Sequence, residues 1–150
     1  MSAINEWFGG YGAMFRYIER TYGEEELERF FEYLAKHAYS DVTPWYRDGG
    51  LEAVKDRYCK NFRIDGGEDA VTASLTGEAL VMEVNCPAYF RSPLPQHPDY
   101  ATGPAYCGWC RQLNGKILRE AGYELTLDYD SCGRCRWEVR SAAQEQGENG

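Results

Sequence analysis

The chain is poor in positive charge: 16 Lys and Arg stand against 24 Asp and Glu in 150 residues, a net charge of −8. With a pI near 4.8, binding built on phosphate neutralisation is disfavoured, so neither nucleic acid nor an anionic membrane surface is expected as a partner. The sequence also lacks any apolar run approaching the ~20 residues that span a bilayer. Its start, Met1-Ser2-Ala3-Ile4-Asn5-Glu6-Trp7, has no basic segment followed by an apolar one, and a soluble, cytoplasmic protein is the expectation. Histidine is scarce, with only His37 and His97 present.

What is present is core-forming. The composition is 43% hydrophobic and 15% aromatic, with 12 Tyr, 6 Phe and 4 Trp, which excludes global disorder. The length suits one domain, expected over residues 1–140, with a polar tail at 141–150 that lacks an apolar anchor.

Ile4, Trp7, Phe8, Tyr11, Phe15 and Ile18 recur at helical steps, and Tyr22-Gly23 closes that helix. A second helix opens on Glu24-Glu25-Glu26, favourable at the positive end of the helix dipole, and places Leu27, Phe30, Phe31, Leu34, Ala35 and Ala38 on its apolar stripe. Asp41 to Gly50, with Pro44 and Gly49-Gly50, reads as a loop before a shorter third helix carrying Leu51, Val54, Tyr58 and Phe62. The period then changes to two. Val71, Ala73 and Leu75 alternate, as do Leu80, Met82 and Val84 after Thr76-Gly77, which predicts an antiparallel hairpin. From Cys86-Pro87 to Pro104 the chain holds five of its six prolines and reads as a long functional loop or lid. A helix carrying Leu113, Ile117 and Leu118 follows Cys107 and ends near Gly122. Two strands close the pattern, one with Tyr123, Leu125, Leu127 and Tyr129, the other with Cys135, Trp137 and Val139. The expected class is α+β, with N-terminal helices on a small antiparallel sheet.

The chemistry concentrates in cysteine. Cys107-Gly108-Trp109-Cys110 and Cys132-Gly133-Arg134-Cys135 are two Cys-x-x-Cys units with 21 residues between them, close to the spacing of a four-cysteine zinc site. Two intervening residues let both sulfurs of a unit reach one ion at about 2.3 Å, and glycine relaxes the turn. One unit is expected at a helix start, where the dipole favours thiolate, and the other at a hairpin tip. Zinc held by Cys107, Cys110, Cys132 and Cys135 is the leading reading. Four thiolates also suit an iron–sulfur cluster, and the first unit alone has the form of a thioredoxin-type dithiol. Two packed, reduced pairs are the bland alternative.

Other candidates carry two readings each. Cys86, before Pro87, is either a nucleophile at a pocket mouth or a buried inert thiol. His97, in the Pro-rich segment, is either a general acid–base or structurally neutral. Asp130, like Asp128, is either a base or carboxylate near the metal, or part of a solvated hairpin face. His37 reads as a surface or boundary residue and Cys59 as core packing. The aromatic residues either enclose a small-molecule cavity or simply fill the core.

The segment Gly115-Lys116-Ile117-Leu118-Arg119-Glu120-Ala121-Gly122-Tyr123-Glu124-Leu125, followed by Cys132 and Cys135-Arg136-Trp137-Glu138-Val139, resembles the end of vinyl-reductase-type small-molecule-binding domains. It is also similar to the related L-2-amino-thiazoline-4-carboxylate hydrolase-like proteins. The resemblance implies an α+β pocket domain and, in some members, a structural zinc bound by hairpin cysteines, here Cys132 and Cys135. The sequence departs from the vinyl-reductase pattern in the close spacing of these cysteines and in Tyr129, which stands where an acidic residue is expected.

The combined expectation is a zinc-stabilised domain that binds a small organic molecule, with hydrolysis of a C–N or C–S ring bond as its enzymatic form. A closed four-sulfur zinc lacks an open coordination position, so Cys86, His97 or Asp130 would have to act in such a reaction. A ligand sensor or interaction module is the non-catalytic alternative, and a dithiol oxidoreductase or iron–sulfur protein the third.

Overall fold

The structure, a computed structural model, describes residues 3–85, 104–130 and 133–142. Helix α1 spans Ala3–Tyr22 and stops at Gly23, whose φ of 95° suits only a residue without a Cβ. Helix α2 follows at once over Glu24–Tyr33, with its three leading glutamates in the first turn and Leu27 and Phe31 buried. It runs on into a wide turn at Leu34–Ala38, where the Tyr39 amide donates to the Leu34 carbonyl at 3.1 Å, the five-residue spacing of a π-helix.

The loop expected over Asp41–Gly50 is instead helical. Helix α3 covers Val42–Gly66 with one break at Gly50, where φ is 69° and ψ −162°. Pro44 stands at the third helical position, where an amide hydrogen has no partner within the helix, so its missing N–H costs nothing. Gly49 is closely packed, since a Cβ there would lie 2.6 Å from that of Ala53. The punctuation in the sequence therefore marks a helix start and a kink.

The sheet is antiparallel throughout, in the order β1-β2-β4-β3. Strand β1 is Val71–Leu75 and β2 is Ala79–Asn85, joined by the expected turn, in which Thr76 and Ala79 exchange backbone and side-chain hydrogen bonds. Alternation predicts Val71, Ala73 and Leu75 facing inward, yet only Val71 is buried. As an edge strand, β1 leaves its far end uncovered. Helix α4, Pro104–Glu120, leads into β3, Tyr123–Tyr129, and then β4, Arg134–Ser141. Ser141 belongs to the sheet, paired with Tyr123, and not to the polar tail expected from 141 onward; residues 143–150 lie outside the described residues.

Register places the core. Met82, Trp137 and Leu127 form one row across β2, β4 and β3, and Val84, Cys135 and Tyr129 form the next. Trp137 is 1% exposed and Val139 is fully buried. This face packs against α3 and α4, with Tyr46, Val54, Tyr58, Ile117 and Leu118 in the same cluster. Burying a side chain of that size contributes about 1.5–3 kcal/mol, so the cluster dominates the folding free energy. A second cluster of Phe15, Leu27, Phe31 and Trp109 joins α1 and α2 to α4. Among the described residues, no helix is long and apolar enough to cross a membrane.

Candidate functional site: a cysteine-walled aromatic cavity

Helical and strand periodicity together decide what faces the space between α3, α4 and the sheet. On α4, Cys107 and Cys110 are three residues apart and so share a face. Asn114 and Ile117 continue that face toward the core. On α3, Arg57, Tyr58, Asn61, Phe62 and Asp65 recur at the same helical steps, and on β4 Cys135 and Trp137 are two apart, on one face of the strand. All of these side chains line one cavity of about 300 Å³, closed further by Phe15, Tyr39, Tyr106, Trp109, Leu113 and Leu127.

The two cysteine-bearing elements meet at this cavity. Tyr129, opposite Cys135 in the sheet register, reaches α4 so that its hydroxyl lies 3.4 Å from where a Cβ on Gly108 would stand. The Arg111 guanidinium lies 5.3 Å from the centre of the Tyr129 ring, which adds a cation–π contact between helix and hairpin. Cys110 is close enough to both Cys107 and Cys135 for each to oppose its ionisation.

Two sulfurs receive hydrogen bonds. The Asn114 amide donates to Cys110 Sγ at 3.3 Å and to the Cys110 carbonyl at 2.8 Å, and its own carbonyl accepts from the Tyr58 hydroxyl at 2.8 Å. The Trp137 indole donates to Cys135 Sγ at 3.3 Å. Burial, then the neighbouring Cys135 and Cys107 thiols, push the Cys110 thiol up to about 12 against the pull of Asn114. Crowded thiols that suppress one another's ionisation are what a bound cation inverts, since it stabilises every thiolate at once. As they stand, the described residues contain no group of three or more His, Cys, Asp or Glu side chains arranged to hold a metal. Of the four expected ligands, Cys107, Cys110 and Cys135 lie among the described residues; the fourth, Cys132, lies outside them.

The helix start is also adjusted. Cys107 is the fourth residue of α4 and Cys110 the seventh, so both cysteines lie inside the helix and Cys110 is already in its second turn. A dithiol of the thioredoxin type sets its reactive first cysteine at the helix end, whereas Cys107 is the fourth residue of α4.

Among the described residues, the remaining candidates do not line the cavity. Asp130 is exposed; its carboxylate accepts from the Arg134 amide at 3.0 Å and pairs with the Arg134 guanidinium at 3.7 Å, which closes the hairpin turn. Asp128 sits opposite Arg136 on the solvent face. Cys86 and His97 lie outside the described residues. His37 is exposed and stacks on Tyr33 with ring centres 4.4 Å apart, and Cys59 is buried in the core.

Sequence reasoning did not single out Asn114 or Arg57. The step of four from Cys110 to Asn114 is a usable local signal, because it sets the amide one helical turn from the sulfur. Arg57 has no such signal; its place in the cavity wall depends on where α3 docks.

Fold and site together define an α+β domain with an aromatic cavity walled on one side by cysteines. No protein-family model matches the chain, and no match to a curated protein was found.

Proposed function

We propose that the protein is a small-molecule-binding domain in which Cys107, Cys110, Cys132 and Cys135 hold one structural zinc and the adjoining aromatic cavity takes the ligand. The observation that carries this reading is the single cavity of about 300 Å³ whose wall combines Cys107, Cys110 and Cys135 with seven aromatic side chains. A cavity of this size lies at the lower end of small-molecule sites and equals the liquid volume of about ten waters. The donor chemistry suits zinc. Thiolates are its structural ligands, and N–H groups directed at two of the sulfurs are the kind of outer contacts that hold metal-bound thiolates in place. Zinc would tie α4 to the β3–β4 hairpin and so fix one wall of the cavity.

The binding reading is preferred to hydrolysis. Four thiolates fill a zinc coordination sphere and leave no position for water, and Asp130 is engaged in its turn. Turnover of thiazolines or amides would therefore depend on Cys86 or His97. A sensor or interaction module needs neither. The iron–sulfur alternative shares the same four sulfurs, and the dithiol alternative leaves Cys132 and Cys135 without a role.

The test is elemental analysis and an absorbance spectrum of protein purified without air, followed by ligand titration monitored through Trp109 and Trp137 fluorescence. One zinc per chain, no visible colour and saturable binding of aromatic compounds are expected. Protein that holds neither zinc nor iron and binds no aromatic compound would overturn the reading. Visible iron–sulfur bands would replace the metal, and turnover abolished by Cys86→Ala would replace binding with catalysis.

A further inference from the structure

Within the cavity, one strong cation faces the aromatic wall. Arg57 projects from α3, and its guanidinium carbon lies 5.9 Å from the ring centres of both Tyr39 and Tyr46. These neutral rings orient the guanidinium without cancelling its charge. Arg57 forms no ion pair with any described residue. Asp65 lines the same cavity but stands eight residues further along the helix, about 12 Å by helical rise. Burial raises its carboxyl pKa, because that end of the cavity is costly for a carboxylate.

The same cavity has an apolar aromatic wall. Trp137 packs against Tyr58 with ring centres 4.9 Å apart and against Phe62 at 5.5 Å. Rings offer stacking surface to a planar ligand, while a guanidinium offers a planar fork of donors that matches a carboxylate. Asn61, one helical turn beyond Arg57, adds an amide to the same wall.

We infer that the cavity selects a planar aromatic molecule bearing a single carboxylate, with the carboxylate on Arg57 and the ring against Trp137 and Phe62. The inference rests on the cavity being the ligand site and adds the charge and shape of its occupant. A second carboxylate would be driven toward Asp65 and is selected against.

The probes are 2-naphthoate, its uncharged amide 2-naphthamide, and 2,6-naphthalenedicarboxylate, titrated calorimetrically into the protein as purified. Naphthoate is expected to bind at least tenfold more tightly than the amide and the dicarboxylate, with an affinity that falls as salt is raised. Arg57→Gln should abolish the preference over the amide while leaving amide binding intact, and Arg57→Lys should restore part of it. Equal affinity for naphthoate and naphthamide in the unaltered protein overturns the inference and leaves the cavity reading standing. A parallel loss of both ligands in a folded Arg57→Gln protein also overturns it. Absence of binding by all three probes overturns the inference and the cavity reading together. The comparison of probes in the unaltered protein stands even where the variant fails to fold.

Discussion

The Trp137 indole donates its N–H to the sulfur of Cys135, two residues earlier on the same face of β4, at 3.3 Å. The most deeply buried aromatic of the sheet thus also orients a candidate metal ligand, and packing of the core and geometry of the cysteine site are set by one side chain. Replacing Trp137 by Phe keeps most of the ring volume and removes the donor. Stability is expected to fall by about 1–3 kcal/mol and zinc affinity by about 10–100-fold. Denaturant unfolding and competition with a zinc indicator measure the two effects separately; a stability loss with unchanged zinc affinity would confine Trp137 to packing.

Cys110 sits where the helix, the hairpin and the cavity meet. Cys110→Ser is expected to lower zinc content below one per chain and to lower the melting temperature, and a chelator should lower that of the unaltered protein by a similar amount. Loss of one structural ligand removes a large share of the metal's contribution to folding. Unchanged melting together with unchanged metal content in Cys110→Ser would exclude Cys110 from any structural site.

Asn114 bridges Tyr58 and Cys110 with both ends of its amide. Asn114→Leu removes an acceptor from the hydroxyl of the buried Tyr58, at a cost of about 1–3 kcal/mol. Tyr58→Phe alone leaves the Asn114 carbonyl without its donor. The double variant is expected to be less destabilised than the two single losses added together, because it removes both unpaired groups. Urea unfolding of the four proteins provides the test, and strict additivity would show that the bridge contributes nothing beyond its parts.

Alkaline pH bears on the partly and fully buried tyrosines. Burial raises the pKa of Tyr39, Tyr46 and Tyr123. Their folded values lie above the unfolded value near 10, so the stability they contribute is fully present below about pH 10 and is lost as pH rises through the folded values. Phenolate absorbance is expected to appear in two stages, exposed tyrosines first and the buried group together with loss of near-ultraviolet circular dichroism. Titration of all tyrosines in one step while the fold persists would contradict this.

Much of the architecture is legible because it is written in local periodicity. The three-four spacing of Phe15, Leu27 and Phe31 and the alternation of Leu80, Met82 and Val84 each need only a few neighbours to be read, and all six are buried. The segment from Asp41 to Gly50 misleads for an equally local reason. Proline and adjacent glycines break a helix interior, but Pro44 falls in a first turn and Gly50 at a kink, and sequence spacing alone does not tell these positions from a loop.

The sequence by itself determined the α+β class, the strand pairs within each hairpin, and the four sulfurs whose spacing invites a metal, because each depends on residues close along the chain. The docking of whole elements is what sets β4 between β2 and β3 and brings Arg57 on α3 to a cavity with Cys107, Cys110 and Cys135. Those relationships join residues dozens of positions apart. They follow from how whole faces dock to bury Trp137, Tyr46 and Leu118, a choice set by packing over the entire core and by no single stretch of chain.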